Sequence, residues 1–283
     1  MKRRKVTPRP GWQATVEGQG FEFHTPDGRP YWDESVCYAF TAREIDEIEA
    51  ATEKLQQLCL KAGQFIIAND RFDDFHIPAA ARQLIRDAWE SEPPSIYERF
   101  DLMYNGSGPP KLLEYNANTP ISLLEASVIQ WYWHQDAARG TDQFNSLHEK
   151  LIAQWREIRP YLKSGLLYFT SMDDAEDATT IGYLRDTAEQ GGIRTQPIAV
   201  DRIGWNERAS EFRDLQDRRI DNIFSLYPWE WLLKDFPGPL VAILWEMFPG
   251  HPNLLEAHLD GPHGMIDGMI TDNLSRFVPH YFQ

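Results

Sequence analysis

The stretch that most constrains the fold is Ile96 to Ser122, IYERFDLMYNGSGPPKLLEYNANTPIS. A Gly/Pro-rich turn over Asn105 to Pro110 separates two runs, Ile96 to Met103 and Lys111 to Ala117, which read as the strands of a hairpin. Strand side chains alternate between faces, so Glu98, Phe100 and Leu102 share one face with Leu113, Tyr115 and Ala117, a mostly apolar set suited to a core. The other face carries Arg99, Asp101, Glu114 and Asn116. With the turn centred between Ser107 and Gly108, Arg99 stands opposite Asn116 and Asp101 opposite Glu114. Two carboxylates across a ladder repel by roughly 3 kcal/mol at about 5 Å and an effective dielectric near 20. That conflict has two resolutions. Arg99 pairs with one carboxylate on a solvated face, with no further role. Alternatively, a hard divalent cation sits between Asp101 and Glu114, and the Asn116 amide oxygen completes a ligand set suited to magnesium at a phosphate.

The next segment predicts a helix opening just after Asn116. Asn118 or Thr119 suits the N-cap, Pro120 the first helical position, and Ile121, Leu124, Val128 and Trp131 follow at helical spacing. The free N–H groups of such a terminus favour a phosphate or a carboxylate. Thr119 as a plain cap is the alternative.

These residues carry a resemblance. Arg99-x-Asp101 followed by Glu114-Tyr-Asn116-Ala-Asn-Thr119-Pro resembles the metal and nucleotide motif of the glutathionylspermidine synthase family of ATP-grasp ligases. Three further stretches agree and fall in the family's order: Leu226-Tyr-Pro-Trp-Glu-Trp231, Leu244 to Leu255, and Ile270 to Tyr281. The resemblance implies an ATP-dependent carboxylate–amine ligase working through an acyl phosphate, with ATP and magnesium as cofactors. A peptide carboxylate and an amine or polyamine would be its small-molecule substrates. Carried over by position, Arg99 would act catalytically at the phosphates, Asp101, Glu114 and Asn116 would hold magnesium, and Thr119 would lie near the substrate carboxylate. Ile121 departs from the small hydroxyl residue the family places there, which separates this chain's substrate from the namesake peptide.

The implied fold is α/β and ATP-grasp-like, of the glutathione synthetase ATP-binding type, as one domain over 1–283. Residues 1–95 form a helix-rich N-terminal part, 96–122 the metal and phosphate hairpin with the helix start, and 123–283 the α/β remainder. The C-terminal lobe reads as incomplete. Only Leu232 to Ile243 stands where the family carries a Glu-Pro-x-Trp-Lys stretch and a Ser-Asn-Lys, and Met265 joins directly to Ile266 where it carries a block on the order of a hundred residues. Those blocks hold the lysines that neutralise the nucleotide's phosphates. A catalytically inactive remnant or binding protein that keeps the metal and substrate groove is therefore the competing reading.

Composition bounds the rest. A net charge of -15 over 283 residues leaves no basic stripe for nucleic acid. The run Lys2 to Lys5 reads as a solvated tail. No apolar run reaches the length of a membrane span or a signal sequence, so a cytoplasmic location is expected, with no membrane partner. Cys37 and Cys59, the two cysteines, read as reduced core residues. Thr25 to Gly28 predicts a turn between extended pieces at Phe21–His24 and Pro30–Trp32. Thr41 and Glu44 form a capping box for a helix that buries Ile45, Ile48, Leu55, Leu58 and Ala62. A helix is expected from about Ile77 to Trp89, with others over Ile121–Arg139 and Asp142–Tyr161 that bury Trp131, Trp133 and Trp155. Strands at Leu166–Thr170, Ile193–Val200 and Asp221–Leu226 alternate with a helix over Asp174–Gln190.

Overall fold

A computed structural model describes residues 1–91 and 95–235. The stretches Leu244 to Leu255 and Ile270 to Tyr281, and the Met265–Ile266 junction on which the incomplete lobe rests, lie outside the described residues.

Strand β1 (Lys2–Lys5) and, after helix α1 (Trp12–Glu17), strand β2 (Val36–Ala39) pair antiparallel, with Lys2 opposite Ala39 and Lys5 opposite Val36. The expected solvated tail is thus a strand. All four of its side chains are exposed, yet its backbone is tied, because ladder pairing needs the N–H and C=O groups and places no demand on side-chain polarity. The turn at Pro26–Gly28 forms, but the pieces beside it are not strands. Their aromatic rings pack instead: Phe21 is buried and stands edge-on to Trp32 at 6.3 Å.

Helix α2 (Ala42–Ala68) starts at the predicted capping box, with Glu44 N–H donating to Thr41 Oγ1 and Thr41 N–H to Glu44 Oε2 at 2.8 Å. Its burial is concentrated toward the C-terminal end, at Cys59, Gly63, Ile66 and Ile67, and Leu58 is exposed. That end joins helix α3 (Ala79–Ser91) in one core with Phe72, Ile77, Ala81 and Ile85. A Cβ on Gly63 would stand 3.1 Å from the Trp89 ring, tighter than ordinary contact, so glycine there lets these elements approach closely.

Strands β3 (Arg99–Met103) and β4 (Lys111–Asn116) form the hairpin in the predicted register, Arg99 opposite Asn116 and Asp101 opposite Glu114. The register then shifts, and Leu102 faces Leu112. This bulge turns Leu113 out, 59% exposed, away from the apolar set expected to hold it. The remaining apolar face packs as read: Phe100 stacks on buried Tyr115 at 4.2 Å, beside Ala117 and Cys59 of α2.

A π-helical turn (Glu125–Ile129) leads into α4 (Gln130–Ala137), and α5 (Leu147–Ile158) follows. Then β5 (Leu166–Ser171), α6 (Ala175–Gln190), β6 (Arg194–Pro197), β7 (Gly204–Asn206), β8 (Glu211–Arg213), β9 (Ile223–Leu226) and α7 (Trp229–Asp235) complete the described chain. β5 is the centre of a parallel sheet of order β6-β5-β9. Both faces are covered, as its apolar run predicts. Tyr168 and Ile223 face the core shared with Ile85 and Phe212, whereas Leu167 and Phe169 face Trp155, Ile181 and Leu184. Trp155 anchors that second core at 1% exposure, but Trp131 is 43% exposed. The described residues are therefore α/β, with the hairpin standing before the sheet in the chain. Cys59 is buried and Cys37 half-buried. Among the described residues, no helix is long and apolar enough to cross a membrane.

Candidate functional site

The polar face of the hairpin brings together four of the five predicted residues. Arg99 donates from Nε to Asp101 Oδ1 at 2.8 Å, from Nη2 to Asp101 Oδ2 at 3.3 Å, and from Nη1 to the Ile121 carbonyl at 3.1 Å. The Asn116 amide, oriented to satisfy both neighbours, accepts from Arg99 Nη2 at 3.0 Å and donates to Glu114 Oε1 at 3.0 Å. One guanidinium thus links Asp101, Asn116 and the loop after β4, and Asn116 passes the link to Glu114. Asp101, Glu114 and Asn116 offer hard oxygens on one face, the donor chemistry that suits magnesium. Here Arg99 occupies both Asp101 oxygens, and among the described residues no group of three His, Cys, Asp or Glu side chains could hold a metal.

Thr119, the fifth residue, lies half-buried on the loop and does not cap a helix. The helix begins at Leu123, three residues later than the Thr119 cap would place it. The reason is the capture of backbone carbonyls by side chains: Tyr97 Oη–H donates to the Pro120 carbonyl and Arg99 to that of Ile121. Ser122 then takes a left-handed conformation at φ 65°, and its carbonyl receives Ala126 N–H at 3.3 Å. For a non-glycine residue this conformation costs on the order of 1 kcal/mol or more.

The π turn has a local cause as well. Asn145 Nδ2 donates to the Ala126 carbonyl at 2.7 Å, and Ser127 Oγ–H donates to that of Leu123, so side chains enter the helix's own ladder. The buried set becomes Leu123, Leu124, Glu125, Ser127 and Ile129 in place of the evenly spaced one ending at Trp131.

That shift buries Glu125, a residue the sequence reading missed. Its signal was a lone carboxylate inside the apolar run Leu123 to Ile129. Tyr31 Oη donates to Glu125 Oε1 at 3.1 Å and bridges to Ser122 Oγ at 2.9 Å. Burial pushes the Glu125 carboxyl up, against the pull of the Tyr31 bond and of Arg99. Glu176, at the start of α6, is raised by burial and then by the charges of Glu125 and Asp174. Beside it Asp177 is pushed up to about 6 by burial and then by Asp174. Tyr97 is raised by burial. The N-terminal loop, the hairpin, the π turn and the head of α6 thus converge on Arg99. No sequence spacing links Tyr31 or Glu176 to that point.

The chain belongs to the glutathionylspermidine synthase family: the family model described as glutathionylspermidine synthase preATP-grasp matches residues 3–241. A putative acid–amine ligase of Haemophilus influenzae is 35% identical over 91% of this chain and 73% of its own length. Trypanothione synthetase of Crithidia fasciculata is 26% identical over 61% of this chain and 27% of its own. The bifunctional glutathionylspermidine synthetase/amidase of Escherichia coli is 24% identical over 68% of this chain and 31% of its own. The chain therefore spans about a third or less of the two synthetases it matches.

Proposed function

We propose that the protein is an ATP-dependent carboxylate–amine ligase of ATP-grasp type whose described part carries the metal and phosphate face. The observation that supports this best is the β3–β4 register, which sets Asp101 against Glu114 and Arg99 against Asn116. In the reading, Asp101, Glu114 and Asn116 hold magnesium, which on binding neutralises phosphate charge. Arg99 turns from Asp101 to the phosphates, where its planar fork matches an oxyanion. Thr119 lies beside the acid substrate. A carboxylate oxygen attacks the γ-phosphorus of ATP and ADP leaves. The amine nitrogen then attacks the acyl carbon of the resulting acyl phosphate, inorganic phosphate departs, and the amine gives up a proton. A peptide carboxylate and an amine or polyamine are the substrates this reading assigns.

Calorimetric titration with ATP, with and without magnesium, tests it, using Asp101→Ala as control. Binding that needs both magnesium and Asp101 is the expected result, and an amine acceptor should raise ATP turnover. Folded protein that binds no nucleotide would favour the second reading, a remnant in which the Arg99–Asp101 pair is only an ion pair.

A further inference from the structure

Tyr31 precedes Ser122 by 91 residues, yet one hydroxyl joins the N-terminal loop to the segment that Arg99 holds. As a carboxylate, Glu125 only accepts, so the single phenolic proton goes to Glu125 Oε1, and Ser122 Oγ–H donates to the phenol oxygen. The order Ser122 to Tyr31 to Glu125 is thereby fixed. Ser122 is the left-handed residue next to Ile121, whose carbonyl accepts from Arg99 Nη1. The Tyr31 ring is itself held without the hydroxyl. It lies 5.3 Å from the Phe23 ring and 6.1 Å from that of buried Phe21, and its backbone N–H donates to the His24 carbonyl. The ring, 40% exposed, is thus held at the rim of the second core by these two aromatic neighbours, and the hydroxyl is left to restrain the loop.

We infer that Tyr31 is a positioning residue for this site: through Ser122 and Glu125 its hydroxyl fixes the Ile121–Ser122 turn, and so the direction in which Arg99 points. The inference rests on the ligase reading of the hairpin face. It assigns the N-terminal loop, which no motif marked, a part in presenting the guanidinium to phosphate.

Tyr31→Phe deletes the hydroxyl and keeps the ring in place. Ser122→Ala cuts the same link from the other end, and Tyr168→Phe, which removes a hydroxyl bonded to Asp214 on another face, serves as the control. Two quantities are read in each full-length protein: the Kd for magnesium–ATP by calorimetry, and amide exchange by mass spectrometry. Tyr31→Phe and Ser122→Ala should each weaken magnesium–ATP about tenfold and speed exchange over residues 121–126, with exchange in β5 unchanged. Tyr168→Phe should leave magnesium–ATP affinity as it is. A purely structural role would lower melting temperature without moving the affinity of the protein that remains folded. Wild-type affinity in both Tyr31→Phe and Ser122→Ala overturns this inference alone. Wild-type protein that binds no magnesium–ATP overturns the ligase reading and this inference with it.

Discussion

Asp101 stands directly across the β3–β4 ladder from Glu114, and Arg99 reaches along its own strand to Asp101, Nε to Oδ1 at 2.8 Å. The guanidinium is the counter-ion for two facing carboxylates. Removing it restores a repulsion of about 3 kcal/mol at an effective dielectric near 20, reduced further by solvent because these side chains are partly exposed. Arg99→Met should therefore melt below wild type in metal-free buffer and regain more than wild type when magnesium is added. Melting curves of the two proteins, with and without magnesium, check this. Equal magnesium shifts would return the face to a plain ion pair.

The cap of α2 gives a prediction independent of any ligand. Thr41 and Glu44 exchange backbone and side-chain hydrogen bonds, satisfying two donors at the helix start. Thr41→Ala should cost about 1 kcal/mol, which lowers the melting temperature by about 2–4 °C in a chain of this size. Thr41→Ser keeps the acceptor and should lose less than half as much. A melting comparison of the three proteins decides it.

These cases also mark how far the sequence reaches. The capping box, the ladder pairs Arg99–Asn116 and Asp101–Glu114, and the β5–α6–β6 alternation are set by neighbours in the chain and were legible in it. The late helix start at Leu123 and the π turn that follows it were not, because side chains drawn from elsewhere, Tyr97 and Asn145 among them, take the backbone carbonyls that local preference would have used. The pairing of β1 with β2 escaped for a related reason. Four consecutive cations read as solvent-facing, which they are, while their backbone partners lie more than 30 residues away. Of the candidate site, the hairpin half was visible in the sequence. The half supplied by Tyr31 and Glu176 depends on tertiary approach alone, and Glu125 left only the trace of a lone carboxylate inside an apolar run.

Asp177 ties the head of α6 to pH. Its carboxyl is pushed from 3.8 to about 6 by burial and then by the like charge of Asp174. The folded chain then holds a proton that the unfolded chain releases in that interval, so the native state binds more protons. Through this group stability falls as pH rises from about 4 to about 6, and the loss is complete above that range. Asp177→Asn removes the charge and keeps an oxygen for Met172 N–H, which Asp177 Oδ2 accepts at 3.2 Å. The variant should match wild type near pH 4 and melt a few degrees higher above pH 6. Melting curves across that range check the sign, and a variant less stable than wild type at neutral pH would contradict it.

Two glycines at α6 should respond to alanine in opposite directions. Gly182 lies on the exposed side of the helix, and a Cβ there meets nothing within 4 Å. Alanine fixes the helical backbone at lower entropic cost, so Gly182→Ala should stabilise by about 1 kcal/mol. Gly191 ends the same helix with an ordinary φ of -71°, so backbone strain does not oppose alanine there. Space does: a Cβ would stand 2.7 Å from the Trp155 Cβ and 3.1 Å from the Ala188 carbonyl oxygen. Neither can yield cheaply, since Trp155 is 1% exposed and its Nε1–H donates to Thr187 Oγ1 at 3.0 Å. Gly191→Ala should therefore destabilise by about 1–3 kcal/mol. Denaturant melts of the two variants read the difference directly. A neutral Gly191→Ala would mean that α5 and α6 pack less closely at Trp155 than these distances require.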